Sequence, residues 1–415
     1  MNSANGGTPA GGAAGRVLLP GIGWRDQVCD VEIADGRLVA AVPAGAAPGL
    51  GEPEWVATRP LRNWHCHLDK SLAGERWLPR PARRSVRAIA RAEPGLRRAL
   101  DRTGTERAAD LLRAMVAAGT AAVRSHVDIG PAYGLQNLTD VQAACQRLGG
   151  AVECELVAFP QQGMRGRGTV RLLAEALQAG AQLIGGLDPG GFDGDVEGGL
   201  ETIFTLATGA DVPVDIHLHD LGETGLRTIT RIADLTVQTG WQGRVAVSHA
   251  LVLGELDARI LSAVARRLGQ AGVRIITGVI PDCPVPPVGE LLRAGVDVGI
   301  GSDNIADIWS PFGSPDVLAK VRALAERSGW ADDRRLARAA GLAQRAGGLP
   351  LPGERADVLL VGARNLAEAV ARCPPSRLLL LGGRPVAGSG GGPAQWQRWT
   401  GTAPSGLIAG QPDGC

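Results

Sequence analysis

Lysine is almost missing from this chain: Lys70 and Lys320 stand against 41 arginines. A bias of that size reflects coding preference, and it makes a lysine at a defined place more informative than usual. Seven cysteines, at positions 29, 66, 145, 154, 283, 373 and 415, include no C-x-x-C pair, which argues against a disulfide framework and for reduced thiols in the cytoplasm. No apolar run reaches the length of a membrane span. Residues 1–15 have neither a basic start nor an apolar centre, so they read as a disordered tail rather than a signal peptide. A formal net charge of +1 removes any general attraction to nucleic acid or to a membrane.

What is present is a globular composition, 45% hydrophobic and 20% charged, over 415 residues. That length suits two ordinary domains or one (β/α)8 barrel with an accessory part. Eight short apolar runs end in polar residues: Leu61–Asp69, Thr120–Asp128, Ala151–Gln161, Ala181–Asp188, Val212–Asp220, Gly243–Ala250, Gly272–Asp282 and Gly295–Asn304. After a longer first gap they recur at roughly thirty residues, the span of one βα unit. Helical periodicity fills the intervals, as in Glu106–Ala118, Thr169–Ala179, Glu223–Thr239 and Leu256–Ala271. Glycines at 119, 180, 240 and 272 stand where helix C-caps are expected. Eight strands each followed by a helix predict a TIM barrel, α/β in class. The rival, a doubly wound open sheet, wants a glycine-rich turn after the first strand, and His65-Cys66-His67-Leu68-Asp69-Lys70 stands there instead.

Strand-like pieces in Arg16–Val42, Ala356–Ala363 and Arg377–Val386 predict a small β-domain built from both ends of the chain. The expected organisation is a tail at 1–15, a small β-domain from 16–58 with 350–390, a barrel at 59–349, and a loose Gly/Pro/Ser-rich tail at 391–415.

Reactive residues of a TIM barrel sit at the carboxyl ends of its strands. On that rule the mouth offers His65, His67 and Asp69; His126 and Asp128; Gln161; Asp188; His217, His219 and Asp220; His249; Asp282; and Asp303 with Asn304. All six histidines fall at these ends. Histidines used as surface or core filler would be spread over helices and loops as well. His65 and His67, two apart on a strand, point to the same side and can grip one metal. Catalytic sites take further ligands from other strands. His217 ends the fifth strand, and Asp303 ends the eighth, which adjoins the first in a closed barrel.

His65-Cys-His-Leu-Asp-Lys, Val123-Arg-Ser-His-Val-Asp, Phe159-Pro-Gln, Gly185-Gly-Leu-Asp-Pro, Val214-Asp-Ile-His-Leu-His-Asp, Ser248-His249 and Gly301-Ser-Asp-Asn with Trp309-Ser-Pro-Phe-Gly resemble the amidohydrolase superfamily. Within it they are similar to the cytosine deaminase and N-isopropylammelide hydrolase group, over roughly residues 16 to 390. The resemblance implies one divalent metal, Zn2+, Fe2+ or Mn2+, held by His65, His67, His217 and Asp303. It gives His249 a part in polarising water or moving a proton. Gln161 is implied to hydrogen-bond the substrate ring, with Phe159 and Trp309 as pocket walls. Asp220 stands where cytosine deaminase has a glutamate that protonates a ring nitrogen, one methylene shorter. Asp303 is expected to relay a proton from water to the departing amine.

Further candidate substrate contacts are Lys70 (alternatively an ion pair with Asp69 or Asp188), Asp188, His219 and Asn304. His126, Asp128 and Asp282 are expected to be structural hydrogen-bonders, and Asp307 and Cys66 to carry no chemistry. The implied reaction is hydrolytic removal of ammonia or an alkylamine from a small nitrogen heterocycle, in an enzyme whose sequence is compatible with a homo-oligomer. Ring opening of the dihydropyrimidinase type would want a carboxylated lysine, which the fourth strand lacks. A non-catalytic scaffold would be expected to have lost ligands. The H-x-E and P-C-x-x-C signature of the nucleic-acid deaminases is absent from the sequence.

Overall fold

The computed structural model describes residues 16–44, 54–79 and 85–409. Four strands precede the barrel: β1 (Val17–Trp24), β2 (Gln27–Ala34), β3 (Arg37–Pro43) and β4 (Trp55–Thr58). The barrel strands are β5 (Leu61–Cys66), β6 (Thr120–Asp128), β7 (Glu153–Phe159), β8 (Leu183–Leu187), β9 (Val214–His217), β10 (Val245–Ser248), β11 (Val273–Thr277) and β12 (Val298–Ile300). Four more follow: β13 (Val358–Val361), β14 (Arg377–Leu381), β15 (Arg384–Ser389) and β16 (Ile408–Ala409).

Strands β5 to β12 pair in sequence order, all parallel. The seam between the last and the first closes through a parallel bridge of Cys66 with Asp303, where Asp303 N–H donates to the His65 carbonyl at 2.9 Å. Gly301 permits this approach, because a Cβ there would lie 2.5 Å from the backbone N and O of His65. The fold is therefore the (β/α)8 barrel with a small β-domain that the run of eight strands predicts.

Every residue of β6 is buried, and its two faces differ. Ala121, Val123 and Val127 join the apolar layer under the helices, with Leu112, Met115 and Leu138, while Arg124, His126 and Asp128 alternate with them. Helix starts are capped by side chains, as by Thr103 with Glu106 in a reciprocal box and by Asp195, Asp257 and Asp316.

The small domain has the strand order β16-β15-β14-β13-β4-β1-β2-β3, so both ends of the chain meet at β4. Its core holds Leu19, Ile22, Val31, Ile33, Leu360, Leu378, Leu380 and Trp396. The expected loose tail is corrected here. Residues Gly392–Thr400 form a helix with proline in its first turn, Trp396 is buried, and β16 pairs with β15. Glycine and proline punctuate this segment, but two tryptophans supply the apolar face that docks it. The tail expected at 1–15 and residues 410–415 lie outside the described residues. Among the described residues, no helix is long and apolar enough to cross a membrane.

Candidate metal centre at the barrel mouth

The strand ends bring all six histidines together. Ring centroids lie 4.3 Å apart for His65 and His126, 4.6 Å for His65 and His217, 4.8 Å for His65 and His249, and 4.5 Å for His219 and His249. Asp303 Oδ1 is 3.5 Å from both His65 Nε2 and His67 Nε2, and His67 Nε2 is 3.4 Å from His217 Nε2. Donor atoms about 2.1 Å from one tetrahedral ion stand about 3.4 Å apart, so this spacing fits a single metal. His65 Nε2 is also buried without a hydrogen-bond partner among the described residues. His65, His249 and Asp303 bring ligand atoms within 4.8 Å of one another, as do His65, His126 and His217.

Protonation states suit the same reading. Burial, reinforced by the surrounding histidines, holds His217 and His249 well below the ordinary imidazole range. Burial and then His65 push His126 down to about 3. Burial opposes ionisation of Asp303, but the imidazoles of His249, His65 and His67 around it outweigh that and keep the carboxyl well below the usual range. Neutral imidazoles around an ionised carboxylate are a donor set for a divalent ion.

Asp188, His249 and Asp303 have φ of 36°, 71° and 59°. Each ends one of the alternate strands β8, β10 and β12. A left-handed conformation costs a non-glycine residue about 1–2 kcal/mol, and here it accompanies the curl that carries these side chains to the site.

On the mouth side, Asp188 accepts from the backbone N–H of His219 at 2.5 Å and of Asp220 at 3.2 Å, and its second oxygen lies 2.8 Å from His219 Nδ1. Burial lowers His219, but the charge and hydrogen bond of Asp188 outweigh it and raise the ring. Asp188 and His219 thus act as a pair. The Asp220 carboxylate accepts from Gly191 N–H at 2.8 Å, and burial and then Asp188 raise it above the ordinary carboxylate range. Gly190 and Gly191 make room for it, since a Cβ on Gly191 would overlap Asp220 Oδ1.

Lys70 pairs with Asp128 at 2.5 Å and Glu93 at 3.3 Å, not with Asp69 or Asp188. Its side chain is 1% exposed, enclosed by the helix Val86–Arg97 that carries Glu93. Nothing at sequence level signals that this helix folds back over the first strand. Trp309 donates its indole N–H to Glu93 at 2.9 Å, and Asn304 donates to Asp307 at 2.6 Å. Arg97 ties the same helix to Asp69 and Asn137, and Arg87 reaches the carbonyls of Gly191 and Phe192 beyond β8.

Phe159 is fully buried and stacks on His217 at 4.2 Å, so it backs that ring rather than lining an open pocket. Gln161 is buried just past β7. Asp282 lies on the exposed stretch after β11, which ends at Thr277. His126, expected to be a structural hydrogen-bonder, has no hydrogen bond to either ring nitrogen among the described residues and sits inside the cluster. Sequence reasoning missed Ser248, Asp215 and Arg124, which lie beneath the histidines. A polar residue two positions before His126 and before His217 was the available signal.

The profile described as the amidohydrolase family matches residues 40–387. The chain is 35% identical over 377 residues to the uncharacterised protein YahJ of Escherichia coli strain K12, covering 86% of this chain and 82% of that one. It is 34% identical over 303 residues to an N-isopropylammelide isopropyl amidohydrolase of Pseudomonas sp. strain ADP, with 71% and 75% covered. The crystal structure of N-isopropylammelide isopropylaminohydrolase from Burkholderia multivorans superimposes with a TM-score of 0.82 at 34% identity, over 90% of this chain and 98% of that one.

Proposed function

As the chain belongs to the amidohydrolase family, an enzyme family acting on carbon–nitrogen bonds, we propose that it hydrolytically removes ammonia or an alkylamine from a small nitrogen heterocycle, an aminotriazine or a cytosine-like pyrimidine. One divalent ion, Zn2+ or Fe2+ with Mn2+ as a further fit, is held by His65, His67, His217 and Asp303. The observation that carries this reading is that Asp303 Oδ1 lies 3.5 Å from His65 Nε2 and from His67 Nε2, and His67 Nε2 lies 3.4 Å from His217 Nε2. When bound, such an ion lowers the pKa of water towards about 7 and acts as a Lewis acid.

The protein's own groups handle the protons. Asp303 is ionised and can take a proton from the attacking water and deliver it to the departing nitrogen. His249, neutral and beside Asp303, can accept a hydrogen bond from that water and orient it. His219 and Asp220 are both raised; His219, held by Asp188, is our candidate donor to a ring nitrogen, because the Asp220 carboxylate is engaged by Gly191 N–H. Gln161 remains the candidate for a ring contact. The cytoplasm is the proposed location.

Ring opening through a carboxylated lysine gains no support. Lys70 is engaged by Asp128 and Glu93, and Lys320 donates to the Gly278 carbonyl at 2.8 Å. A panel of aminotriazines, N-alkylaminotriazines and aminopyrimidines, assayed for released ammonia or alkylamine with metal-reconstituted protein, tests the proposal. Turnover of at least one class is expected. No amine release from any member would overturn it.

A further inference from the structure

A single buried chain of hydrogen bonds runs from His65 into the barrel. His65 Nδ1 lies 2.8 Å from Ser248 Oγ, Ser248 Oγ donates to Asp215 Oδ1 at 2.7 Å, and Arg124 Nη1 donates to Asp215 Oδ2 at 2.8 Å. Arg124 is held in turn by Glu155, whose Oε2 accepts from Nε at 2.9 Å. His65, Ser248, Asp215 and Arg124 are all buried. The strand register explains the arrangement. Ser248 lies beside His217 across the β9–β10 pair, and Asp215 is two residues before His217, one layer deeper on the same face. His126 Nε2 stands 3.7 Å from Asp215 Oδ2, beyond a normal hydrogen bond.

The donor count decides what this chain does. An ionised carboxylate only accepts, so the one hydroxyl proton of Ser248 is committed to Asp215. Ser248 is left with lone pairs for His65, which must then carry its proton on Nδ1. In a neutral imidazole that leaves the Nε2 lone pair on the side where His67 and Asp303 converge. A bare carboxylate in this layer would be costly to bury, and the Arg124 guanidinium offsets that cost.

We propose that Asp215 is a positioning residue for the metal centre, acting through Ser248 to fix the tautomer and the orientation of His65. The proposal rests on the reading of His65, His67, His217 and Asp303 as metal ligands. An asparagine at 215 can donate its amide N–H to Ser248, freeing the hydroxyl proton to turn towards His65 and select the wrong tautomer. Loss of such an outer hydrogen bond typically weakens metal binding 10- to 100-fold.

The test compares wild-type protein, Ser248→Ala and Asp215→Asn by chelator competition for Zn2+ and by the visible spectrum of the Co2+-loaded protein. About one ion per wild-type chain is expected, with 10- to 100-fold weaker Zn2+ binding and displaced Co2+ bands in both variants. Ser248→Ala removes one oxygen and carries the test if Asp215→Asn does not fold. Wild-type affinity and an unchanged Co2+ spectrum in Ser248→Ala would overturn the positioning role while leaving the metal reading intact. A wild-type chain that binds neither ion would overturn the metal reading and this proposal with it.

Discussion

Lys70 and Asp128, 58 residues apart in sequence, form an ion pair of 2.5 Å with both side chains at most 1% exposed. Glu93 completes the enclosure and also accepts from Trp309. The lysine thus joins the first barrel strand's extension to β6, to the helix Val86–Arg97 and to the loop after β12. A buried pair broken on one side leaves an uncompensated charge, which costs about 3–5 kcal/mol. Lys70→Met is expected to lose that much stability in urea denaturation, and Lys70→Met with Asp128→Asn to lose less than the two single variants summed. A Lys70→Met protein of wild-type stability with KM raised tenfold would instead give Lys70 a substrate role.

The ligand assignment predicts metal content directly. His217→Ala and Asp303→Ala each remove one of the converging donor atoms and should lower bound metal well below one ion per chain, with loss of turnover. Elemental analysis after dialysis measures it. Stoichiometric metal in both variants would remove these residues from the centre.

Asp188 and Asp220 separate two accounts of proton delivery. Asp220→Asn keeps an oxygen for Gly191 N–H, so kcat should stay within about tenfold of wild type. His219→Asn and Asp188→Asn remove the raised imidazole or its anchor, and kcat should fall by about 10^2 to 10^4. A hundredfold drop in Asp220→Asn with little effect at His219 would return the acid role to Asp220.

These expectations also mark where a sequence is transparent. Strand recurrence and the placement of histidines at strand ends were legible, because alternation and βα spacing are local properties. The run Thr120–Asp128 coincides with β6, whereas Gly272–Asp282 overran β11, whose chain leaves the sheet after Thr277. The H-x-H pair and its partners on later strands were legible for the same reason. Glu93 was not, because its meeting with Lys70 depends on the path of a helix with no repeat to align it. Asp215 and Ser248 were not, because a single polar residue in a buried strand has the same local pattern whether it anchors a histidine or only satisfies a neighbour. The helix Gly392–Thr400 was hidden by its glycines and prolines, although Trp396 and Trp399 announced an apolar face.

That helix supplies a stability prediction. Trp396 is buried in the small-domain core, and Trp399 meets Trp55 edge-on at 5.8 Å. Trp396→Ala should cost about 3–5 kcal/mol, the range for emptying a large buried aromatic site. Urea denaturation followed by far-ultraviolet circular dichroism measures it. A loss under 1 kcal/mol would mean that the segment contributes little to the domain's stability.

Two glycine-to-alanine substitutions test the barrel seam against a matched control. Gly301 lies just past β12, and a Cβ there would sit 2.5 Å from His65 N, O and Cβ. Two of those are backbone atoms that cannot step aside without moving the strand that carries His65. Gly301→Ala should therefore weaken closure at the Asp303 N–H to His65 O bond, destabilise the protein by more than about 3 kcal/mol and release the metal. Gly209 lies near the end of the helix Val196–Ala210 with nothing within 4 Å of its would-be Cβ. Gly209→Ala should add about 0.5–1 kcal/mol by reducing the freedom of the unfolded chain. The pair separates a general effect of alanine from a local clash, because the substitution is the same and the expected signs are opposite. A Gly301→Ala protein as stable and as well metallated as wild type would mean that the eighth strand does not press against the first, and the shared placement of Asp303 and His65 would lose its structural basis.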